Sequence, residues 1–367
     1  MIETPVLNAK EAARRDAFVG RLFQAYIEGG NLATVYLGDR LGLYQALADL
    51  GSATPAELAA RAGTHERYTR EWLEQQVVAG IIEVTDAQAE AMIRRYHLPP
   101  GHAEVLLARD SVNYLAPLAR VVGGAQPMPA LLEAFQTGGG VPYTDYGLDI
   151  REGQADLART MYINLLTTAW LPAIPDVHAR LHADPPARVA DIACGYGWSS
   201  LELARAYPKV RLDGFDSDEA SIAAARTTAV EAGLADRVTF TVRDATDPRL
   251  AGAYDLVTVF NAIHDMARPV EALRVIRGLV AARGTVITME PRAPEAFTAP
   301  GDPFDQIRYL GSIMFCLPTG MAEQPSAGTG QTMRPATLRR YAMEASFREV
   351  EILPIEHPLM RFYRLIP

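Results

Sequence analysis

The sequence predicts an α/β chain in two parts: a mainly helical N-terminal domain, then an open, mostly parallel seven-stranded sheet covered by helices. Two observations carry this. From Arg188 onward, apolar runs of strand length alternate with helix-patterned sequence, as in parallel strands joined by crossover helices. Before that point apolar residues recur mainly at three- and four-residue spacing, and only one short stretch is rich in strand formers.

The elements follow in order. Residues 16–29 and 31–50 read as two helices with wide apolar faces, parted at Gly30. Thr54-Pro-Ala-Glu opens a third helix: Thr54 supplies an N-cap oxygen, Pro55 suits the first helical position and Gly63 stops it. Residues 64–78 form a longer helix containing Trp72-Leu73. After Gly80 the β-rich Ile81-Ile-Glu-Val has a return strand near residues 92–98. Helix-turn-helix followed by a hairpin is a winged helix. A DNA reader would place its second helix in the major groove, yet here that helix carries Glu71, Glu74 and Gln75 among its few arginines, poor chemistry for neutralising phosphate. Further on, Gly138-Gly-Gly-Val-Pro-Tyr-Thr-Asp-Tyr-Gly is a flexible stretch that nonetheless holds two tyrosines, and residues 151–172 read as a helix.

The first strand of the sheet runs into Asp191-Ile-Ala-Cys-Gly195-Tyr-Gly197 and then directly into a helix. Gly195 and Gly197 allow backbone angles closed to other residues, and the helix start offers free N–H groups to a ligand. A dinucleotide site would want a third glycine where Ser200 stands, and an acid at the strand end opposes a pyrophosphate. Asp191 suits a ligand carrying positive charge, such as the amino group and sulfonium of S-adenosylmethionine (SAM). The second strand ends at Asp216, placed for a ribose diol; the third delivers Asp244; the fourth ends at Asn261-Ala-Ile-His264-Asp265; the next, Val286-Ile-Thr-Met-Glu-Pro, ends at Glu290. In an open parallel sheet ligands sit beyond the carboxyl ends of the strands, so these residues face one crevice. Residues 350–354 and 360–366 read as final antiparallel strands, completing a Rossmann-like sheet with a reversed edge strand.

From about Arg188 to the C-terminus the chain resembles the class I SAM-dependent methyltransferases, and Ile263-His264-Asp265-Met266 resembles the His-Asp-Trp segment of the O-methyltransferases that carry an N-terminal winged helix, with Met266 in place of the aromatic. The resemblance implies SAM as cofactor, held by Asp191, Gly195, Gly197, Asp216, Asp244, Ala245 and Asn261, with Asp244 near the adenine amine. It implies His264 as catalytic base, with Asp265 and Glu290 beside it. The segment 138–147 becomes a cap over the site, bringing Tyr146 to the cofactor. Tyr162, Trp170, Tyr309, Met314 and Phe315, with Cys316, become candidate acceptor-wall residues, each also readable as helix core. The winged helix becomes a dimerisation domain and lid. The expected boundaries are 1–110 for the helical and winged-helix domain, 111–178 for linker helices and cap, and 179–367 for the SAM-binding domain.

Composition bounds the rest. At 367 residues with 49% hydrophobic content, two cores are expected. The two cysteines show no disulfide framework or zinc spacing, there is no signal-like or membrane-spanning run, and the net charge of −9 disfavours broad attraction to nucleic acid. The expectation is a cytoplasmic, metal-independent homodimer acting on a small acceptor. Transfer needs a nucleophilic atom in line with the sulfonium methyl and a base for its proton, a role for a neutral His264 with Asp265 or Glu290 fixing its tautomer. A phenolic oxygen is the first choice of acceptor, and carbon and nitrogen stay open. The rivals are a SAM-binding, pericyclase-like enzyme that transfers no methyl group and a winged-helix transcription regulator.

Overall fold

In the computed structural model, which describes residues 6–124 and 126–367, a single helix spans Ala9–Arg40 where the sequence pattern suggests a break at Gly30. Asn8 starts it by accepting from the Glu11 N–H. A glycine inside a helix costs roughly 1 kcal/mol relative to alanine, too little to divide a helix of this length. The break falls instead at Gly42, whose φ of +66° is the left-handed geometry a turn requires. The helix Leu43–Leu50 follows.

The third helix, Pro55–Ala62, has the expected ends: the Thr54 side chain accepts from Glu57, the Glu57 side chain accepts from Thr54, and Gly63 is left-handed. After the helix Glu66–Val78, strand β1 (Glu83–Val84) pairs antiparallel with β2 (Tyr96–His97), completing the winged helix. Leu43, Tyr44, Leu47, Leu58, Leu73, Ile82 and Tyr96 form its core.

Two compact units divide the chain, the first running to Gln126 and including Leu148–Leu157. Polar contacts hold that later segment: Asp149 accepts from Tyr36 and Arg40, and Asp156 accepts from Arg120, which also grips Asp39. Phe18, Phe23 and Tyr26 of the long helix are exposed.

The second unit, Pro127–Gly147 with Ala158–Pro367, contains a seven-stranded sheet. Its strands are β3 (Arg188–Ile192), β4 (Arg211–Asp216), β5 (Val238–Val242), β6 (Tyr254–Phe260), β7 (Val280–Pro291), β8 (Glu349–Ile352) and β9 (Met360–Ile366), in the order β5-β4-β3-β6-β7-β9-β8. β9 runs antiparallel to both neighbours. The reversed strand is therefore internal, and the edge strand β8 points the same way as β7, unlike the reversed edge expected from the sequence. The order switches direction between β3 and β6, the place where an open sheet parts its crossovers and leaves a crevice. Two apolar clusters cover the faces, one around Leu201, Leu212, Phe240 and Phe362, the other around Val257, Leu273, Ile276 and Tyr363.

Candidate active site

The loop after β3 holds three residues in the left-handed region, Ala193 (φ +55°), Gly195 (φ +51°) and Gly197 (φ +75°). The two glycines serve different ends. A Cβ on Gly197 would sit 2.5 Å from the Phe240 ring, so this glycine seats the loop on the sheet, whereas one on Gly195 would meet nothing within 4 Å, so this glycine faces open space.

Asp191 is 1% exposed. Ser199 and Ser200 donate to its Oδ2 at 2.6 and 2.7 Å, and Thr258, its register partner on β6, donates to Oδ1 at 2.7 Å. Burial raises the pKa of the carboxyl, opposed by these three hydroxyls. The acid thus fastens the helix Trp198–Ala206 to β3 and β6, rather than presenting a bare charge to the crevice as the sequence suggested. Ser200 stands where a dinucleotide loop has glycine because its hydroxyl completes this fastening.

Asp216 ends β4 and accepts the Gly195 N–H and the Asp218 N–H, each at 2.8 Å on a separate oxygen. Burial raises its pKa against those two bonds. Lone pairs remain for a diol. Asp244 is exposed and accepts from the Thr246 N–H at 2.7 Å, and Ala245 is half-buried beside it. At the end of β6, Asn261 takes φ +56°, uncommon for a residue with a side chain, and its Oδ1 is buried without a hydrogen-bond partner. Trp198 Nε1 at the start of the helix is likewise buried and unpartnered, with the Arg159 guanidinium 4.8 Å from its ring centroid. Orphaned polar atoms beside an open glycine and an incompletely engaged carboxylate are what a polar nucleoside ligand would satisfy, and the residues fit SAM.

The turn Ile263–Asp265 carries His264, 1% exposed. Its Nδ1 lies 2.5 Å from Glu290 Oε2, and the other oxygen of Glu290 accepts the Ile263 N–H at 2.9 Å, so the carboxylate grips ring and backbone together. On the other side Nε2 stands 3.2 Å from Asp265 Oδ1. Burial by itself pulls the imidazole pKa down, but Asp265 and Glu290 outweigh it and lift it from 6.5 to about 9. The two acids thus favour the charged imidazolium, where the sequence led to the expectation of a neutral ring. The segment 325–330 holds the turn from outside, with the Ala327 N–H donating to Ala267 O and the Gly330 N–H to His264 O.

The tyrosine-containing segment docks within this unit. Its Val141 N–H donates to Pro318 O at 2.9 Å, and a Cβ on Gly140 would come within 2.2–2.3 Å of the backbone of Ala322, Met321 and Pro318. Tyr143 and Tyr146 both meet Phe315 edge-on, at centroid distances of 5.8 and 4.4 Å. Tyr146, expected beside the cofactor, thus lies with Phe315, in the electrostatic field of Cys316 and Asp265, and its hydroxyl is buried beside the Thr319 hydroxyl. Tyr162 stacks on Phe260, and its hydroxyl feels both Asp191 and Glu290. Met314 is half-buried in the wide π-turn Ser312–Cys316.

Two expected wall residues are placed elsewhere. Trp170 packs against Phe362 and His357 in the core, because the π-helical turn Tyr162–Trp170 continues the core-facing stripe. Tyr309 lines a small cavity with Asp305, Arg308 and Arg334. The sequence reading missed Ser199, Thr258, Tyr143 and Thr319. Of these, only Tyr143 had a signal, as the second aromatic of the cap segment.

Comparison with known proteins agrees with this geometry. Residues 31–109 match the Rv2258c-like winged HTH domain and residues 189–284 match a methyltransferase domain. The ubiquinone biosynthesis O-methyltransferase of Burkholderia pseudomallei is 27% identical over 206 residues, 55% of this chain and 80% of that protein. Among solved structures, the mitomycin 7-O-methyltransferase superposes with a TM-score of 0.69 at 17% identity, covering 98% of this chain and 99% of that one. Human N-acetylserotonin methyltransferase in complex with SAM gives 0.65 at 16%, covering 99% of both. The chain thus joins an N-terminal winged HTH domain to a methyltransferase domain that uses S-adenosylmethionine, and its fold is that of the class I SAM-dependent methyltransferases.

Proposed function

We propose that this enzyme methylates a hydroxyl group on a small aromatic acceptor, with His264 as general base and Glu290 as the residue that orients it. The observation that carries the reading is the Glu290–His264 contact, which fixes the ring at the carboxyl end of the sheet with Nε2 as the nitrogen left to exchange a proton. Bound SAM supplies an activated methyl group on a sulfonium. The protein's part is to hold and align. Asp216, Asn261 and the open face of Gly195 suit the nucleoside, and the aromatic groups Tyr143–Tyr146–Phe315 and Tyr162–Phe260 offer apolar ring surfaces suited to a planar acceptor. As the acceptor oxygen takes the methyl group, its O–H proton passes to Nε2, so the imidazolium must first lose its own proton. Alignment supplies most of the rate. Two of the related proteins carry O-methyl transfer in their names, which favours oxygen over carbon or nitrogen.

A small-molecule partner is favoured over DNA because arginines on the helix Glu66–Val78 pair within it, Arg67 with Glu71 and Arg70 with Glu66. The exposed Phe18, Phe23 and Tyr26 support a homodimer through the long helix, whereas Leu43, on the helix that follows, is 2% exposed and belongs to the core. No helix among the described residues is long and apolar enough to cross a membrane, and the two unpaired, buried cysteines suit a reducing cytoplasm. The test is conversion of SAM to S-adenosylhomocysteine with a panel of phenols, indoles and arylamines. Methylated phenols support the proposal. SAM binding with no methylated product from any of them refutes it in favour of a non-methylating enzyme.

A further inference from the structure

We propose that His264 Nε2, the Asp265 carboxylate and the Cys316 thiolate form a binding site for a borderline-soft divalent cation of the zinc class, and that occupancy of this site arrests methyl transfer. The inference rests on the reading of His264 as the base only for its second clause.

The donors come from two elements that the fold brings together. His264 and Asp265 lie on the turn after β6, and Cys316 closes the π-turn Ser312–Cys316, with its thiol facing the Asp265 carboxylate. One nitrogen, one oxygen and one sulfur lie within 4.8 Å of one another. Zinc holds such atoms at about 2.0–2.3 Å, which sets neighbouring donors in a tetrahedron roughly 3.3–3.8 Å apart. The Nε2 to Oδ1 edge already measures 3.2 Å. The Cys316 sulfur, within 4.8 Å of both, is the third donor.

Glu290 is a second, independent observation. A histidine that binds a metal through one nitrogen almost always gives the N–H of the other to a carboxylate or carbonyl, which fixes the tautomer and raises its basicity. Glu290 makes that contact with Nδ1, leaving Nε2 aimed at the other two donors. Three protein donors leave a fourth tetrahedral position, and the buried Tyr146 hydroxyl, beside Thr319, lies in the field of Cys316 and Asp265.

The N, O, S donor set favours zinc-class ions and disfavours magnesium and calcium, which prefer oxygen. A cation on Nε2 occupies the lone pair that would take the acceptor's proton, without touching the residues proposed to hold SAM.

The experiment uses the full-length protein and cobalt(II) as a spectroscopic probe. The expected result is a saturable thiolate-to-cobalt charge-transfer band at one ion per chain, discharged by zinc, absent in Cys316→Ser and retained in Cys194→Ser. Asp265→Asn should weaken the band, and Glu290→Gln should lower the cobalt affinity about 10–100-fold, the usual effect of losing an outer partner. Zinc, but not magnesium, should suppress S-adenosylhomocysteine formation, and a chelator should restore it. Absence of the band, or its survival in folded Cys316→Ser, overturns the site. Cobalt binding with undiminished turnover overturns the arrest and the base assignment while the site stands. Loss of turnover in His264→Asn without any cobalt binding to the parent protein overturns the site while the base assignment stands.

Discussion

Replacing Glu290 by Gln is the sharpest probe of the proposed chemistry, because the structure says what the amide must do. The Ile263 N–H, 2.9 Å from Oε1, needs an acceptor, so the carbonyl of the introduced amide stays there and its NH2 turns towards His264 Nδ1. Nδ1 must then accept, which places the imidazole proton on Nε2 and removes the lone pair the acceptor needs. The limiting rate should fall by about 10²–10⁴, the range for a misdirected or missing base. The pH dependence should move as well. With a pKa of about 9, the parent histidine is charged below that value, and its active neutral form grows as pH rises through it. At pH 7 only about 1% is neutral, two units below the midpoint. A charge-assisted hydrogen bond is worth about 1.5–3 kcal/mol, and one pKa unit is about 1.4 kcal/mol, so losing it should bring the midpoint down by about 1–2 units, to roughly 7–8. Single-turnover formation of S-adenosylhomocysteine from pH 6 to about 10, together with NMR titration of the imidazole, reads both effects. A variant whose imidazole still titrates near 9 and whose plateau rate equals the parent's refutes the coupling.

Other expectations follow from the loop, the cap and the long helix. Gly195→Val forces a branched side chain onto φ +51° at the open face of the loop and should abolish SAM binding, while Asp216→Ala should weaken it by about 1–3 kcal/mol; isothermal titration checks both, and parental affinity in the two would mean the crevice is misassigned. Gly140→Ala puts a Cβ into the backbone of Met321 and Ala322, so amides 138–147 should exchange faster and the acceptor KM should rise at least tenfold with SAM affinity held; unchanged exchange would show that the segment is not docked as described. Phe23→Glu in the exposed helix face should yield monomers by sedimentation, whereas Leu43→Ala should cost about 2–5 kcal/mol of stability and leave assembly intact; a monomeric parent removes the dimer.

Much of the sheet and the loop was legible in the sequence because their determinants are local. A strand that ends in an acid, a glycine pair before a helix, and Thr54-Pro with Glu57 are each decided within a few residues, and their structures follow. What the sequence hid depends on partners far along the chain. Asp191 looked like a charge awaiting a ligand because Thr258, 67 residues away, cannot be paired with it until β3 and β6 are known neighbours. The ionisation of His264 depends on Glu290, 26 residues on, and on burial that no motif records. Trp170 and Tyr309 sat in apolar stripes that fit wall and core alike, and π-helical turns shift which side such a stripe faces. Gly30 and Gly42 are the same residue type, and only the turn's demand for a positive φ tells them apart.

The internal position of β9 has a bearing on biosynthesis. Every other strand of the sheet precedes it in the chain, yet it separates β7 from β8 and supplies the hydrogen-bonding partner of both. Until residues 360–366 have left the ribosome, β7 presents a long unpaired edge of Val286, Ile287, Thr288 and Met289, residues that are fully covered once the sheet closes. A nascent chain therefore carries an aggregation-prone template through the synthesis of about its last fifth, and holdase chaperones should engage it there. Frameshifts or stop codons late in the reading frame should be as damaging as lesions in the loop after β3.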